Sequence, residues 1–176
     1  MTTFAIPTLT TERLTLRPLT EADVPALVVA LDDYNVSGWL TLVPFPYTEA
    51  DARAFIGGLD DASRFDGYGI FDEAGLVGGI GIAETLGYWI AWDAWGRGYA
   101  TEAAEALIGH HFAETDVASL VSGHFEGNIP SAHVLEKLGF THTGVVERVR
   151  SRAQGIDMKL EKMALTRAAW EARRGG

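Results

Sequence analysis

The amino-acid sequence predicts a mixed α+β fold, with antiparallel hairpins in the middle of the chain and helices interspersed. Short segments of alternating apolar and polar residues indicate strands, and apolar residues at helical spacing indicate amphipathic helices. The tetrapeptide Thr-Glu-Ala-Asp occurs at 20–23 and at 48–51, each time as a hydroxyl cap with carboxylates at the positive end of a helix. The 176 residues contain no linker and no low-complexity segment, so we expect one domain over residues 1–176.

The elements follow in a definite order along the chain. Predicted strands cover residues 13–19, 68–72, 76–84, 86–92, 118–125, 140–149 and 157–165. Predicted helices begin after the caps at 20 and 48, extend from a glycine-rich turn at 95–98 to about residue 114, and cover 128–139. In the last of these helices Asn128 can cap, Pro130 lies in the first turn and Gly139 is a C-terminal stop.

Charge and composition exclude several classes of function. Fourteen Lys and Arg against twenty-four Asp and Glu give a net charge of −10, which opposes nucleic-acid binding and weakly attracts amines. The chain has no cysteine, which excludes disulfides, thiolate metal sites and a cysteine nucleophile. No apolar run approaches the ~20 residues of a membrane span, and the N-terminus lacks the basic-then-apolar order of a signal peptide. We therefore expect a soluble cytoplasmic monomer or homodimer without nucleic-acid or membrane partners.

The stretch Trp-Gly-Arg-Gly-Tyr-Ala-Thr begins the third predicted helix with an accessible backbone. A helix start offers unpaired N–H groups and a partial positive charge, so it binds phosphate readily. Gly96, Gly98 and Ala100 leave room for a close approach, and Arg97 adds a charge. The alternative is a tight strand-to-helix turn without a ligand. Other phosphate loops fit poorly, because no Gly-Lys-Ser/Thr is present and Thr101 stands where a dinucleotide fingerprint has Gly or Ala.

This stretch resembles the acetyl-CoA pyrophosphate loop of the GNAT superfamily of N-acetyltransferases, and more narrowly the branch typified by the RimJ and RimL ribosomal-protein N-acetyltransferases. The resemblance covers nearly the whole chain, through the segments TERLTLRPLTEAD, PFPYTEADARAFI, GYWIAWDAWGRGYATEA and GNIPSAHVLEKLGF. Trp95 stands where the superfamily usually has Gln or Arg. A tryptophan at this position is familiar in this branch. The resemblance implies a central, mostly antiparallel sheet of about six to seven strands, splayed between strands four and five and flanked by about four helices.

The resemblance also implies which residues bind acetyl-CoA. The implied contacts are the main chain at Ile90, Ala91 and Trp92, for pantetheine and the thioester carbonyl, and the loop residues Arg97, Gly98, Tyr99, Ala100 and Thr101. Asn128 would bond the pantetheine arm. Ser131 would contact the cofactor near its sulfur and would protonate or stabilise the leaving thiolate. The alternatives are that residues 88–92 form only a buried aromatic strand, and that Asn128 and Ser131 only satisfy the first helical turn.

The general base is where this chain departs from the branch. The branch usually has Glu-x-Gly-Tyr-Trp, whereas this chain has Thr85 at the glutamate position, and Thr143 replaces the acidic residue that usually follows Gly-Phe. Glu84 lies one residue early, and we expect it to act as the base if it projects toward the interior. Otherwise it is an exposed hairpin residue, and Glu147 or water can serve instead.

Aromatic residues supply the expected acceptor pocket. Trp39, Phe45 and Tyr47 lie in the region that helps to wall this pocket in the branch, and Tyr88 is a further expected substrate-binding residue. Core packing is the alternative for all of them.

No metal site is expected. His110 and His111 are adjacent, so on a helix they diverge by about 100° and cannot share one face. No His-Glu-x-x-His spacing occurs. Ordinary polar roles are expected for His124 and His133, which flank the expected site.

The resemblance implies an acetyl-CoA-dependent N-acetyltransferase in which an amine attacks the thioester directly in a ternary complex. The acceptor would be a protein N-terminus or a small-molecule amine. Thr85 and Thr143 motivate an alternative, a CoA-binding module without catalysis. A further alternative, an NAD(P)-binding oxidoreductase, predicts stabilisation by NAD(P) rather than by CoA.

Overall fold

Eight strands form two antiparallel sheets in the part of the chain that the computed structural model describes, residues 6–59 and 65–175. The strands are β1 (Leu9–Thr10), β2 (Thr15–Pro18), β3 (Tyr68–Asp72), β4 (Gly75–Ile82), β5 (Leu86–Ile90), β6 (Ser119–Phe125), β7 (Thr141–Ser151) and β8 (Ile156–Thr166). The first sheet has the order β1-β2-β3-β4-β5 and the second the order β6-β8-β7. This architecture confirms the predicted fold class.

The helices lie between and after these strands. They are α1 (Val24–Leu31), α2 (Tyr34–Ser37), α3 (Glu49–Gly58), α4 (Tyr99–Glu114), α5 (Ile129–Leu138) and α6 (Arg167–Arg174). Short 3-10 turns at Glu21–Asp23 and Trp92–Ala94 precede α1 and α4. Over residues 6–59 and 65–175, none of the helices combines the length and the apolar character needed to cross a membrane.

The two predicted capping boxes are present, the first at the start of the 3-10 turn that precedes α1 and the second at the start of α3. The amide of Thr20 donates to Asp23 Oδ2 at 2.8 Å, and the amide of Thr48 donates to Asp51 Oδ2 at 2.8 Å. Each carboxylate also lies at the positive end of its helix. Local sequence alone therefore fixes these two starts.

Apolar side chains form a core on each face of the first sheet. On one face, residues of α4 and α5 such as Leu107 and Leu135 pack with β2 to β5, β6, β8 and α6. On the other face, residues of α1 and α3 such as Leu27 pack in a second cluster. Because side chains alternate along a strand, Tyr88 of β5 lies against the first cluster and Trp89 against the second.

The two sheets separate between β5 and β6. In the described part of the chain no backbone ladder joins these strands, although Ser122 Oγ donates to the Leu86 carbonyl at 2.8 Å near the start of β5. These are the fourth and fifth strands of the prediction, which did not include the two-residue β1. The expected splay is confirmed, and it leaves main-chain groups of β5 facing a wedge.

Three elements were not predicted. β1 and α2 are too short to show periodicity. Helix α6 has one large apolar residue, Trp170, so it lacks an apolar stripe in sequence. Its cap is nevertheless specific, because Thr166 Oγ1 accepts from the Ala169 amide at 3.1 Å. The strand predicted to reach residue 92 ends at Ile90, where the chain enters the 3-10 turn.

Candidate active site

The start of α4 has an accessible backbone. Gly98 caps the helix in the left-handed region, at φ 78°, and no side chain of the described residues accepts a capping hydrogen bond there. Gly96 also has a positive φ, 76°, and a Cβ placed on it would meet no described atom within 4 Å. The two glycines are therefore explained by backbone conformation. The space in front of Gly96 is open, whereas a Cβ on Gly98 would lie 3.6 Å from Arg13 Nη2.

Arg97 and Tyr99 lie beside this helix start. Arg97 Nη2 donates to the Asp93 carbonyl at 3.2 Å, and its Nη1 lies 3.9 Å from Asp72 Oδ2. The Tyr99 hydroxyl donates to the same Asp72 oxygen at 3.2 Å. Asp72 thus holds both side chains, and about half of the Arg97 side chain stays exposed to a ligand.

Arg13 is a second cation at the same place, and the sequence did not indicate it. Its Nε donates to Glu102 Oε2 at 2.7 Å, and its Nη1 donates to the Arg97 carbonyl at 2.9 Å. Burial opposes ionisation of Glu102, but hydrogen bonds from Thr11 and Arg13 outweigh it, so the pKa of this carboxyl lies below its ordinary value. The charged Glu102 consequently anchors Arg13 against the first turn of α4.

Strand β5 presents main-chain groups to the wedge. The Ala91 amide donates to the Val77 carbonyl at 2.8 Å, so it faces β4. Because neighbouring residues of a strand point their N–H and C=O groups in opposite directions, those of Tyr88 and Ile90 face away from β4. We call these outward-facing groups of Leu86, Tyr88 and Ile90 the open edge of β5. Of the main-chain groups expected to bind pantetheine, the Ile90 amide lies on this edge, whereas the Ile90 carbonyl accepts from Trp95 Nε1.

Trp95 has a definite structural role in place of the usual Gln or Arg. Its Nε1 donates to the Ile90 carbonyl at 2.7 Å, and its ring lies 4.7 Å from that of Trp92. The indole therefore ties the end of β5 to the loop before α4. Trp92, expected to contact pantetheine, begins the 3-10 turn and is half exposed.

Tyr88, Asn128 and Ser131 come together at the start of α5. Asn128 Oδ1 accepts from the Ser131 amide at 3.3 Å, which caps the helix and leaves the Asn128 NH₂ group for other contacts. The Tyr88 hydroxyl lies 2.9 Å from Ser131 Oγ. Burial raises the pKa of Tyr88 to about 12, so the phenol keeps its proton at neutral pH and can donate a hydrogen bond. Tyr88, expected at the acceptor, and Ser131, expected at the cofactor, thus form one hydrogen-bonded pair.

The carboxylates considered as bases are exposed. Glu84 is exposed in the turn between β4 and β5, together with Thr85, which is the hairpin position that the sequence left as its alternative. Thr143 uses its hydroxyl to bond the Lys162 carbonyl at 3.1 Å, and the exposed Glu147 lies 3.8 Å from Lys162 Nζ. Each carboxylate is therefore in contact with solvent.

The aromatic residues expected at the acceptor pocket divide into two groups. Tyr47 is only 5% exposed and packs in the second core cluster, the role that the sequence left as its alternative. Trp39 and Phe45 are 36% and 42% exposed. The end of the Trp39 ring lies 4.0 Å from where a Cβ on Gly127 would be, so it reaches the segment just before α5.

The turn between β7 and β8 holds the loop that carries Trp39. Gln154 Nε2 donates to the Gly38 carbonyl at 2.7 Å, and the Arg152 amide donates to the Thr41 carbonyl at 3.1 Å. These bonds join residues more than a hundred positions apart, which is why local sequence patterns did not reveal them.

A sequence profile described as the acetyltransferase (GNAT) domain matches residues 13–141, which include Arg13, the Gly98 helix start and the Tyr88–Ser131 pair. The chain belongs to the GNAT acetyltransferase family. It is therefore an acyltransferase, as the sequence predicted. Among its relatives, YnaD, an uncharacterized N-acetyltransferase of Bacillus subtilis, is 31% identical over 149 residues, covering 80% of this chain and 86% of YnaD. The uncharacterized N-acetyltransferase p20 of Bacillus licheniformis is 29% identical over 167 residues, covering 84% and 89%.

Solved structures of GNAT proteins share the fold. Mycobacterium smegmatis RimJ, solved with CoA-disulfide, aligns with a TM-score of 0.79 and 20% identity over 97% of this chain and 95% of RimJ. RimL, a ribosomal L7/L12 α-N-protein acetyltransferase solved with coenzyme A, aligns with a TM-score of 0.78 and 21% identity over 93% and 99%. The structural neighbours thus include both proteins that typify the branch identified from the sequence.

Proposed function

We propose that this GNAT protein transfers an acetyl group from acetyl-CoA to a primary amine by direct attack within a ternary complex. The observation that carries the proposal is the accessible start of α4 at Gly98, next to the open edge of β5. A helix start without a side-chain cap suits a pyrophosphate, and a strand edge suits the amides of a pantetheine arm.

Several residues fit the donor. The helix amides from Gly98 to Thr101 would face the pyrophosphate, and the Arg97 and Arg13 guanidiniums would balance its charge. The NH₂ group of Asn128 is free to bond the pantetheine arm. The CoA bound in the RimJ and RimL structures supports the same class of ligand here.

The reaction forms a C–N bond and breaks a C–S bond. The neutral amine attacks the thioester carbonyl carbon, whose oxygen gains negative charge that an N–H on the open edge of β5 would stabilise. The Tyr88–Ser131 pair would donate a proton to the departing thiolate and regain one from solvent. Because Glu84 is exposed in the hairpin turn, water would accept the surplus proton of the amine, and Glu84 would assist by taking that proton from the water. With no cysteine in the chain, no acyl-cysteine stage intervenes.

The acceptor is a primary amine, either a protein N-terminus or a small molecule, in the cytoplasm. The net charge of −10 favours a cationic acceptor. The naming of RimL as an α-N-protein acetyltransferase supports the first kind. The exposed Trp39 supports an open pocket that suits both kinds.

Thermal unfolding with and without ligands, followed by thiol release, tests the proposal. At a hundredfold excess over Kd, acetyl-CoA should add about 2.7 kcal/mol and raise the unfolding midpoint by roughly 5–10 °C, whereas NAD(P) should not. Because the chain has no cysteine, a thiol reagent detects only released CoA. We expect release with N-terminal peptides or with small amines.

Two results would count against the proposal. No thermal shift at saturating acetyl-CoA would remove the donor assignment. A shift without thiol release for any acceptor in a broad panel would instead favour a CoA-binding module without catalysis.

A further inference from the structure

Three strands of the second sheet bring two histidines and a glutamate together. His124 on β6 and Glu161 on β8 are direct partners across the ladder, and His142 on β7 pairs with Met163, two residues from Glu161. All three side chains therefore leave the same face of the sheet. Glu161 Oε2 lies 3.5 Å from His142 Nδ1 and 3.9 Å from His124 Nε2, and one ligand atom from each residue lies within 4.8 Å of the others.

His124 has an unsatisfied nitrogen aimed at this group. Its Nδ1 lies 3.1 Å from the Phe125 carbonyl, and a carbonyl only accepts, so Nδ1 carries the proton of the neutral ring. Nε2 then holds a free lone pair. His124 is only 7% exposed, and its Nε2 has no hydrogen-bond partner among the described residues. Burying such an atom unpaired is unfavourable, so it points to a missing ligand.

The surroundings of that lone pair suit a metal cation. The carboxylate of Glu161 and a neutral His142 offer further lone pairs. Two imidazoles and a carboxylate are a typical ligand set for zinc, with bonds of about 2.0–2.1 Å that place ligand atoms about 3.4 Å apart. The distances of 3.5 and 3.9 Å are close to that value, and the two histidine nitrogens, within 4.8 Å of each other, would have to move closer together to share an ion.

Neighbouring groups contact the histidine nitrogens that would not bind the metal, and so could orient the two rings. The Phe125 carbonyl fixes the tautomer of His124, and Glu136 Oε1 lies 3.9 Å from His142 Nε2. Such outer contacts are typical of metal-bound histidines. His142 and Glu161 are partly exposed, which gives an ion access and leaves room for water as a fourth ligand.

We propose that His124, His142 and Glu161 bind a transition-metal dication of the zinc type, which would tie β6, β7 and β8 together. The site concerns metal binding and is independent of the acetyl transfer proposed above. It departs from the expectation of no metal, which rested on spacings along the chain. Ligands on three separate strands leave no such spacing.

Equilibrium dialysis of metal-stripped, untagged protein against zinc tests this proposal. We expect one zinc per chain, and tetrahedral absorption bands when cobalt replaces it. His142→Gln removes a ligand whose side chain is 47% exposed, so folding should survive. Removing an outer contact typically weakens metal affinity 10–100-fold, so losing a ligand should weaken it by about a hundredfold or more. His133→Gln, an exposed histidine outside the group, should bind like the unmodified chain.

Glu161→Gln provides an independent second removal if His142→Gln does not fold. Weakened binding in either folded variant, with unchanged binding by His133→Gln, supports the site. Absence of stoichiometric zinc binding, or equal affinity in the unmodified chain, His142→Gln and Glu161→Gln, would overturn it.

Discussion

The donor and acceptor sides of the proposed active site are built from different parts of the polypeptide. On the donor side, the start of α4 at Gly98 and the open edge of β5 present main-chain groups. On the acceptor side, Trp39 and Glu84 present exposed side chains from a loop and a turn. Main-chain geometry follows from the fold and from a few glycines. An exposed side chain, in contrast, can be substituted without disturbing the fold or the main-chain geometry.

This difference explains why the fold is recognisable at low sequence identity, whereas acceptor specificity has to be measured. Structures with 20% and 21% identity keep the same architecture, with TM-scores of 0.79 and 0.78. A donor site made of backbone can persist at such divergence. In the proposed site, acceptor specificity would depend on side chains such as Trp39, so it could differ between proteins that share the fold.

The Tyr88–Ser131 pair lies between the two sides and should show the largest effect. Tyr88→Phe and Ser131→Ala should each lower kcat by about a hundredfold, because each removes one hydroxyl of the proposed proton donor. If the two hydroxyls act as one unit, the double variant should be little worse than either single variant. Steady-state kinetics of all four proteins measures this coupling.

Two readouts keep that result interpretable. The affinity for acetyl-CoA should stay within about threefold, since the loop at Gly98, Asn128 and the main chain of β5 supply most of the proposed binding contacts. Thermal unfolding should confirm that each variant is folded. Single-variant effects that multiply fully in the double variant would show that the hydroxyls act separately. Unchanged kcat in all variants would remove the pair from the chemistry.

The backbone character of the donor side is tested by paired glycine substitutions. Gly98 and Gly155 have φ values of 78° and 69°, so an alanine at either position should cost about 1–2 kcal/mol of stability. Only Gly98→Ala places a methyl group at the proposed pyrophosphate site. We expect its acetyl-CoA affinity, measured by calorimetry, to fall about tenfold, with Gly155→Ala unchanged.

The two glycine variants also test the alternative interpretation of the turn at Gly98. If both variants bind acetyl-CoA equally well, the turn at Gly98 is only a tight connection, the alternative left open by its sequence. The donor would then have to bind through side chains, and the contrast between the two sides of the site would disappear.

Local signals made most of the fold predictable. The capping boxes at Thr20 and Thr48, the strand at 68–72 and the Gly139 stop of α5 each depend on residues close together in sequence. Where the signal was weak, as in α6 with its single buried Trp170, the element was missed. Physically, propensity and capping act over a few residues, so they appear in the sequence directly.

Pairings between distant residues could not be predicted in this way. Arg13 and Glu102 are 89 positions apart, and Tyr88 and Ser131 are 43 apart. Their contacts depend on how the sheets and helices pack, and no spacing rule encodes that packing. The family resemblance supplied Ser131 and the loop at Gly98, but it gave no indication of Arg13 as a second cation.

The smallest effect is expected on the acceptor side, at Glu84. Because this carboxylate is exposed in the turn between β4 and β5, water competes with it as a proton acceptor. Glu84→Gln should therefore lower kcat only about tenfold, below the hundredfold or more that a positioned base usually contributes. Glu171→Gln removes another exposed carboxylate, on α6 and outside the proposed site, and should leave kcat unchanged.

Each possible size of the Glu84 effect has a definite meaning. A loss of a hundredfold or more would show that this turn positions its carboxylate as rigidly as the backbone positions the donor. No difference from Glu171→Gln would exclude Glu84, and Glu147→Gln would then test the remaining carboxylate. An intermediate loss that is rescued at higher pH fits a base acting through water, since more of the amine is then neutral before it attacks.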